Sequence, residues 1–229
     1  MRTFDCHEVE LMDGPQAPSR QLTRTLRELE YMNRHFGGHR YALHFLARHL
    51  RPGCRYRVLD LATGGGDFPR AMVDWAREHD IELEIDAVDA SPAIAELAEA
   101  FSDDYPEITY FLGDAVNFDS GMRYDLVHCS LSLHHFSTAE AVELLKRCRA
   151  LSKRLVLVTD LERRFLTRLG VNLANRLLGH STMTCRDGAT SARRAFSFRE
   201  FRTLAKGADW PQFGHERFLF CRQALWLAK

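Results

Sequence analysis

The sequence predicts an α/β fold, a doubly wound and mostly parallel seven-stranded sheet with an antiparallel last strand. Three observations carry this expectation. Short β-branched and aliphatic runs alternate with helix-length segments between residues 57 and 159. The first run, Arg57-Val58-Leu59-Asp60-Leu61, feeds a glycine-rich turn, Ala62-Thr63-Gly64-Gly65-Gly66, which opens a helix-like segment. Two apolar runs near the end, residues 217–221 and 224–228, read as a strand pair closing the sheet edge.

The elements follow in order. Residues 1–18 read as an irregular leader, because Gly14, Pro15 and Pro18 break any regular pattern. Its first residues lack the apolar stretch of a signal peptide. Ser19 is placed to cap a helix whose stripe is Leu22, Leu26, Leu29, Tyr31 and Met32. Gly37-Gly38 interrupts it, and a second helix runs from His39 to about Leu50, where Pro52-Gly53 ends it. Strand 57–61 leads to a helix over 69–78. Strand 82–88 leads to a helix capped by Ser91, with Pro92 at its first position. Strands 108–112 and 124–130 come next, then helix 138–150 and strand 154–159. A leucine-rich helix covers 161–178, with Arg163, Arg164, Arg168 and Arg176 interleaved. The polar stretch 179–197 has little apolar periodicity, and helix 198–206 follows it. The whole chain reads as one domain, with lid helices over 19–52 and a cap of helix and loop over 161–206.

Composition narrows the class. A 229-residue chain with 45% hydrophobic and 27% charged residues can bury a full core. No apolar run reaches the ~18 residues of a membrane span. Six cysteines without a Cys-x-x-Cys pair predict reduced thiols in a cytoplasmic protein, without structural zinc. The net charge is zero, yet residues 146–229 carry 18 Lys/Arg against 6 Asp/Glu. Such a split marks either an anionic partner or two parts that pack and pair their charges.

Ligands of an open parallel sheet sit beyond the carboxyl ends of its strands. Those ends deliver the glycine turn, Asp89-Ala90-Ser91, Gly113-Asp114-Ala115 and Ser130. A carboxylate after the second strand can accept from both ribose hydroxyls, and one after the third from an exocyclic adenine amine. These motifs, with Tyr124-Asp125-Leu126-Val127-His128-Cys129-Ser130-Leu131-Ser132-Leu133-His134-His135-Phe136, resemble the class I S-adenosylmethionine-dependent methyltransferases, over roughly residues 20–229. The resemblance implies a Rossmann-like fold and S-adenosyl-L-methionine as cofactor. It implies that Ala62, Thr63, Gly64 and Gly66 line the methionine and ribose part, and that Asp60 holds water or the methionine amine. Asp89, beside Ala90, would take the ribose and Asp114, beside Ala115, the adenine. Ser130 would meet the methionine end, and Arg34 could reach the cofactor carboxylate. Ala62 stands where the family has its first glycine, which is compatible with a close turn if its φ stays negative.

A methyl acceptor needs a base, and His134 and His135 lie where the resemblance places the cofactor–substrate boundary. Arg186, Asp187 and Arg194 lie in the segment that covers the substrate in this fold, where a guanidinium could hold a phenolate, carboxylate or thioester. The segments Leu29 to Gly38 and Arg186 to Phe196 resemble a bacterial subgroup associated with polyketide-type secondary metabolism. The expected acceptor is therefore a phenolic or polyketide small molecule, anionic or carrier- or CoA-bound, methylated on oxygen or carbon. Quinone-ring C-methylation is the alternative. No metal, membrane span or nucleic acid is expected, and the chain should be a monomer or homodimer. A nicotinamide oxidoreductase is disfavoured by the missing Gly-x-Gly-x-x-Gly spacing. RNA modification lacks an Asn/Asp-Pro-Pro-Tyr motif, and a non-catalytic adenosyl-binding subunit would show the same cofactor motifs.

Overall fold

The computed structural model describes residues 4, 10–14, 18–219 and 221–229. The expectations for the remainder of the leader, including Pro15 and the first three residues, fall outside them. Strand β1 (Arg55–Leu61) lies mid-sheet because both its faces are apolar, with Val58, Leu59 and Leu61 fully buried. Beside it run β2 (Glu82–Asp89) and β4 (Tyr124–Ser130), flanked by β3 (Ile108–Leu112) and β5 (Ser152–Leu161). Strands β6 (Gly214–Phe218) and β7 (Arg222–Ala228) complete the order β3-β2-β1-β4-β5-β7-β6. All neighbours pair in parallel except β7, which is antiparallel to both β5 and β6. The expected fold class is the observed one.

Helices cover both faces. Helices α2 (Gly38–His49) and α3 (Asp67–Glu78) bury Phe45, Leu46, Phe68 and Met72 against Val58, Leu126 and Leu157. On the opposite face, α5 (Thr138–Leu151) and α8 (Phe198–Gly207) bury Leu144, Leu145, Phe201 and Leu204 against Leu59, Val127 and Val156. A smaller cluster joins α1 (Arg20–His35) to α4 (Pro92–Ala100) through Leu22, Leu26 and Ile94. The expected caps are present: Ser19 Oγ accepts the Leu22 N–H at 3.1 Å, and Ser91 Oγ that of Ile94 at 3.4 Å. Tyr31 does not join the apolar stripe of α1 and is 47% exposed.

Three elements depart from expectation. The strand before the leucine-rich helix runs on to Leu161, so α6 spans Phe165–Leu178. The polar stretch after it is a helix, α7 (Thr182–Arg194), capped by Ser181 Oγ on the Thr184 N–H at 3.2 Å. Its inward face is polar rather than apolar: Thr184, Asp187 and Ser191 are buried and bonded to α1 and to the N-terminal turn Leu11–Asp13. Apolar periodicity cannot report such a helix. Finally, β6 begins at Gly214, where a Cβ would sit 1.8 Å from the Trp226 ring, so only glycine lets that ring cross the strand.

Candidate active site

A cavity of about 800 Å³ opens beyond the carboxyl ends of β1, β2 and β4, roofed by α1, α6, α7 and the N-terminal turn. Its floor is the glycine turn. Thr63 N–H donates to Val88 O at 2.9 Å, and Gly66 N–H to Thr63 O at 3.2 Å. Ala62 has φ +54, so the condition for a relaxed alanine turn is not met; the left-handed conformation costs on the order of 1–2 kcal/mol. Gly64 (φ +57) lines the cavity, and a Cβ there would meet no protein atom within 4 Å. Gly66 does not line it. At φ +71 it turns the chain into α3, and its missing Cβ leaves room for Tyr110 Oη, which would lie 2.1 Å away.

The acids divide into two kinds. Asp89 lines the cavity: Oδ2 accepts the Gly64 N–H at 2.9 Å and Oδ1 the Ser91 N–H at 3.0 Å. A carboxylate has about four acceptor sites, so lone pairs remain for two hydroxyls. Burial pushes its pKa up, against the pull of those two N–H groups. Asp114 also lines the cavity, exposed, with Oδ1 on the Val116 N–H at 2.7 Å. Ala90, Ala115, Thr63 and Ser130 are in the lining as expected, Ser130 Oγ lying 2.7 Å from Thr159 Oγ1. Asp60 is not. It is buried below the floor, with Oδ2 accepting from Thr63 Oγ1 and Oδ1 facing His128 Nδ1, each at 2.6 Å. It sets the turn rather than meeting a ligand.

Arg34 is exposed and does not line the cavity, because on a helix it points about 100° away from its neighbour Asn33. Asn33 is the residue turned inward. Its Oδ1 accepts from Arg222 Nη2 at 2.9 Å, and its Nδ2 donates to Asp67 Oδ2 at 3.0 Å. His39 Nε2 reaches the same Asp67 oxygen at 2.7 Å. Arg222 is buried, lines the cavity, and has no hydrogen-bond partner at Nη1 among the described residues. Burial lowers its pKa to about 10, although Asp67 and Asp160 favour its charge. Asp67 follows the glycine turn directly, a signal that could have singled it out; Arg222 stands in a strand with none.

The two histidines are distinct. His134 is buried, with Nδ1 2.7 Å from Asp160 Oδ1 and Nε2 3.6 Å from Glu10 Oε1. Burial alone would lower its pKa, yet the two carboxylates raise it to about 10. Its ring is buried and both nitrogens are directed at carboxylates, which makes His134 an ion partner within the wall rather than a base open to the cavity. Glu10 answers in kind: desolvation opposes its charge, but His135 and His134 bring its pKa down to about 2. His135 keeps its side chain 25% exposed to the cavity, with Nδ1 2.8 Å from Asp13 Oδ2 and Nε2 3.9 Å from Glu10. Glu10, His134 and His135 bring ligand atoms within 4.8 Å of one another, a spacing that could take a cation, but ion pairing already accounts for the cluster.

The expected substrate residues are not brought together. Arg186 is exposed and outside the cavity. Arg194 is buried away from it, donating Nη2–H to His135 O at 2.9 Å and lying over the Phe4 ring. Asp187 does line the cavity, but its oxygens accept the Leu11 and Met12 N–H groups at 2.7 and 3.0 Å. It fastens the N-terminal turn over the site, and burial pushes its pKa up. Glu10, Asp13, Asp67, Asp89, Asp114 and Asp187 make the lining acidic, with Arg222 and the histidines as its basic groups. That lining suits a cationic ligand.

Residues 58–154 match the model of the methyltransferase-domain family. No curated protein matches the sequence. Among solved structures, the chain is similar to a Nostoc punctiforme protein provisionally assigned as an O-methyltransferase. The two share 18% identity and a TM-score of 0.66, over 90% of this chain but only 59% of that one. It is similar to the magnesium protoporphyrin IX methyltransferase of Synechocystis PCC 6803 with bound S-adenosylmethionine, at 13% identity and TM-score 0.57, over 96% and 88% of the two chains. A plantazolicin methyltransferase, solved with S-adenosylhomocysteine and a desmethyl substrate analogue, aligns at 13% identity and TM-score 0.65, over 92% and 95%. At these identities the likeness is one of fold. The chain thus carries a methyltransferase-domain match over residues 58–154 and shares its fold with these solved methyltransferases.

Proposed function

We propose that the protein methylates an uncharged, phenolic or polyketide-type small molecule on oxygen or on an activated carbon. The observation that supports this most directly is His135, which faces the cavity beside the His134 ring and the Asp13 and Glu10 carboxylates. Asp13 takes the Nδ1–H, which leaves the Nε2 lone pair to accept the acceptor's proton. Glu10 and Asp13 then stabilise the imidazolium that forms. Arg186 and Arg194 stand away from the cavity, which disfavours an anionic acceptor held by either.

The residues present fit the cofactor. Asp89 would take the ribose hydroxyls and Asp114 the adenine amine. Arg222, with its unpartnered buried Nη1, would take the carboxylate in place of Arg34, and Asp67 the amine. A buried guanidinium nitrogen without a partner is costly, and a carboxylate satisfies it by a charge-assisted bond. When bound, S-adenosylmethionine supplies a methyl group on a sulfonium, and the acidic lining favours that cation over the neutral product.

His135→Ala tests the reading. Methyl transfer to a phenolic acceptor should fall by about 10²–10⁴-fold, with S-adenosylhomocysteine affinity unchanged. Undiminished transfer would remove His135 from the mechanism.

A further inference from the structure

Helix α6 is amphipathic the wrong way round. The residues it turns toward the protein are small or polar: Thr167 and Asn175 are buried, and Val171 and Ala174 are half-buried. Its apolar residues face outward. Phe165 is 79% exposed and Leu177 74%, and Leu166, Leu169 and Leu173 are each more than half exposed. At 100° per residue these five share about one third of the helix circumference, an apolar stripe into which Arg176 also projects near one edge. Leu219, also exposed, sits in the β6–β7 turn, which is joined to the start of α6 by the Glu162 N–H on Cys221 O at 2.8 Å. Monomeric proteins rarely leave so many large apolar side chains contiguous and open to water.

The charges around the stripe indicate what covers it. From residue 163 to residue 196 there are seven arginines, no lysine, and a single acid, Asp187. That acid is buried and occupied by two backbone N–H groups. Arg168, Arg176 and Arg186 are exposed and make no ion pair among the described residues. A second copy of these two helices would bring arginine against arginine with no free carboxylate from residues 163–196 to pair them. An anionic lipid surface supplies what both features lack: hydrocarbon for the leucines and phosphate for the guanidiniums. No described helix is long and apolar enough to cross a membrane, so α6 would lie in the plane of the interface.

We propose that α6, with its Arg168 and Arg176 and with Arg186 of α7, is a docking surface for a membrane carrying anionic lipid. Val171 and Asn175 of the same helix line the cavity, so docking sets the roof of the cavity against the lipid.

The test is co-sedimentation of the full chain with phosphatidylcholine vesicles, with and without phosphatidylglycerol. The expected result is binding to the anionic vesicles, weakened by salt, and weak binding to phosphatidylcholine alone. Arg168→Glu/Arg176→Glu should lower the affinity by about tenfold or more, each arginine contributing several-fold at an anionic surface. Leu169→Ser/Leu173→Ser should lower it as well. These positions are exposed, and unchanged thermal melting and S-adenosylhomocysteine binding would show that each variant is folded. No binding to anionic vesicles would overturn the proposal. So would equal binding by the arginine variant, or a dimer in sedimentation velocity that the serine variant dissociates.

Discussion

Asp89 carries the most weight among single residues, because one side chain both fixes the Gly64 N–H and faces the cavity. Asp89→Ala should weaken S-adenosylhomocysteine binding by ~2–3 kcal/mol, through loss of a charge-assisted contact. Calorimetric titration measures it, and unchanged affinity would sink the ribose assignment. His134 makes a different kind of prediction. Its folded-state pKa is raised from 6.5 to about 10, so its stabilising effect is complete below 6.5 and is lost as pH rises toward 10. Glu10 is lowered from 4.5 to about 2, so its contribution holds above 4.5 and disappears as pH falls toward 2. Stability should therefore decline on both sides of a plateau near pH 5 to 6.5. His134→Asn should flatten the alkaline side in a melting-temperature series. It should also cost about 3–5 kcal/mol near neutrality, because Asp160 is left buried without its ion partner. An alkaline limb unaltered in the variant would show that another group titrates there.

At the scale of elements, two short pieces decide the shape of the site. The glycine turn needs Gly66 for space as well as for φ: Tyr110 Oη fills the position of its Cβ and is itself held by Ser102 Oγ at 2.8 Å. Gly66→Ala should cost ~2 kcal/mol or more, through left-handed strain plus displacement of that pair, as read by chemical denaturation. Ala62→Gly, at φ +54, should cost none of the ~1 kcal/mol that glycine usually costs in a regular element. The N-terminal turn depends on Asp187, whose carboxylate holds the Leu11 and Met12 N–H groups. Asp187→Ala should raise hydrogen exchange at those two amides and loosen Glu10 and Asp13 from the histidines.

How much of this was legible in the sequence follows from how local each cause is. The strand ends, the Ser19 and Ser91 caps and the cavity-facing Asp89 and Asp114 are set by residues within a few positions, and their patterns are readable. Asp187 is 176 residues from Leu11, and Arg222 is 189 from Asn33, so neither pair leaves a local trace. Helix α7 was hidden because its buried face is polar. Arg34 has the charge that a carboxylate calls for, whereas the helix period gives the inward position to Asn33.

Across the whole molecule, charge is sorted by function. Carboxylates collect around the cavity, where a sulfonium would sit, and Arg168, Arg176 and Arg186, without an ion pair among the described residues, lie exposed on α6 and α7. The uneven charge along the sequence is thus an uneven charge in space, with the acidic end of the sheet beneath a basic, leucine-rich roof. The nature of the ligand in that cavity decides what the protein can do. Titration of the intact protein with S-adenosylhomocysteine, and in parallel with NADH, tests it most directly. One-to-one micromolar binding of S-adenosylhomocysteine alone is the expected result. Failure to bind it, or binding of NADH in its place, would contradict the assignment of Gly64, Asp89 and Arg222 and the mechanism built on them.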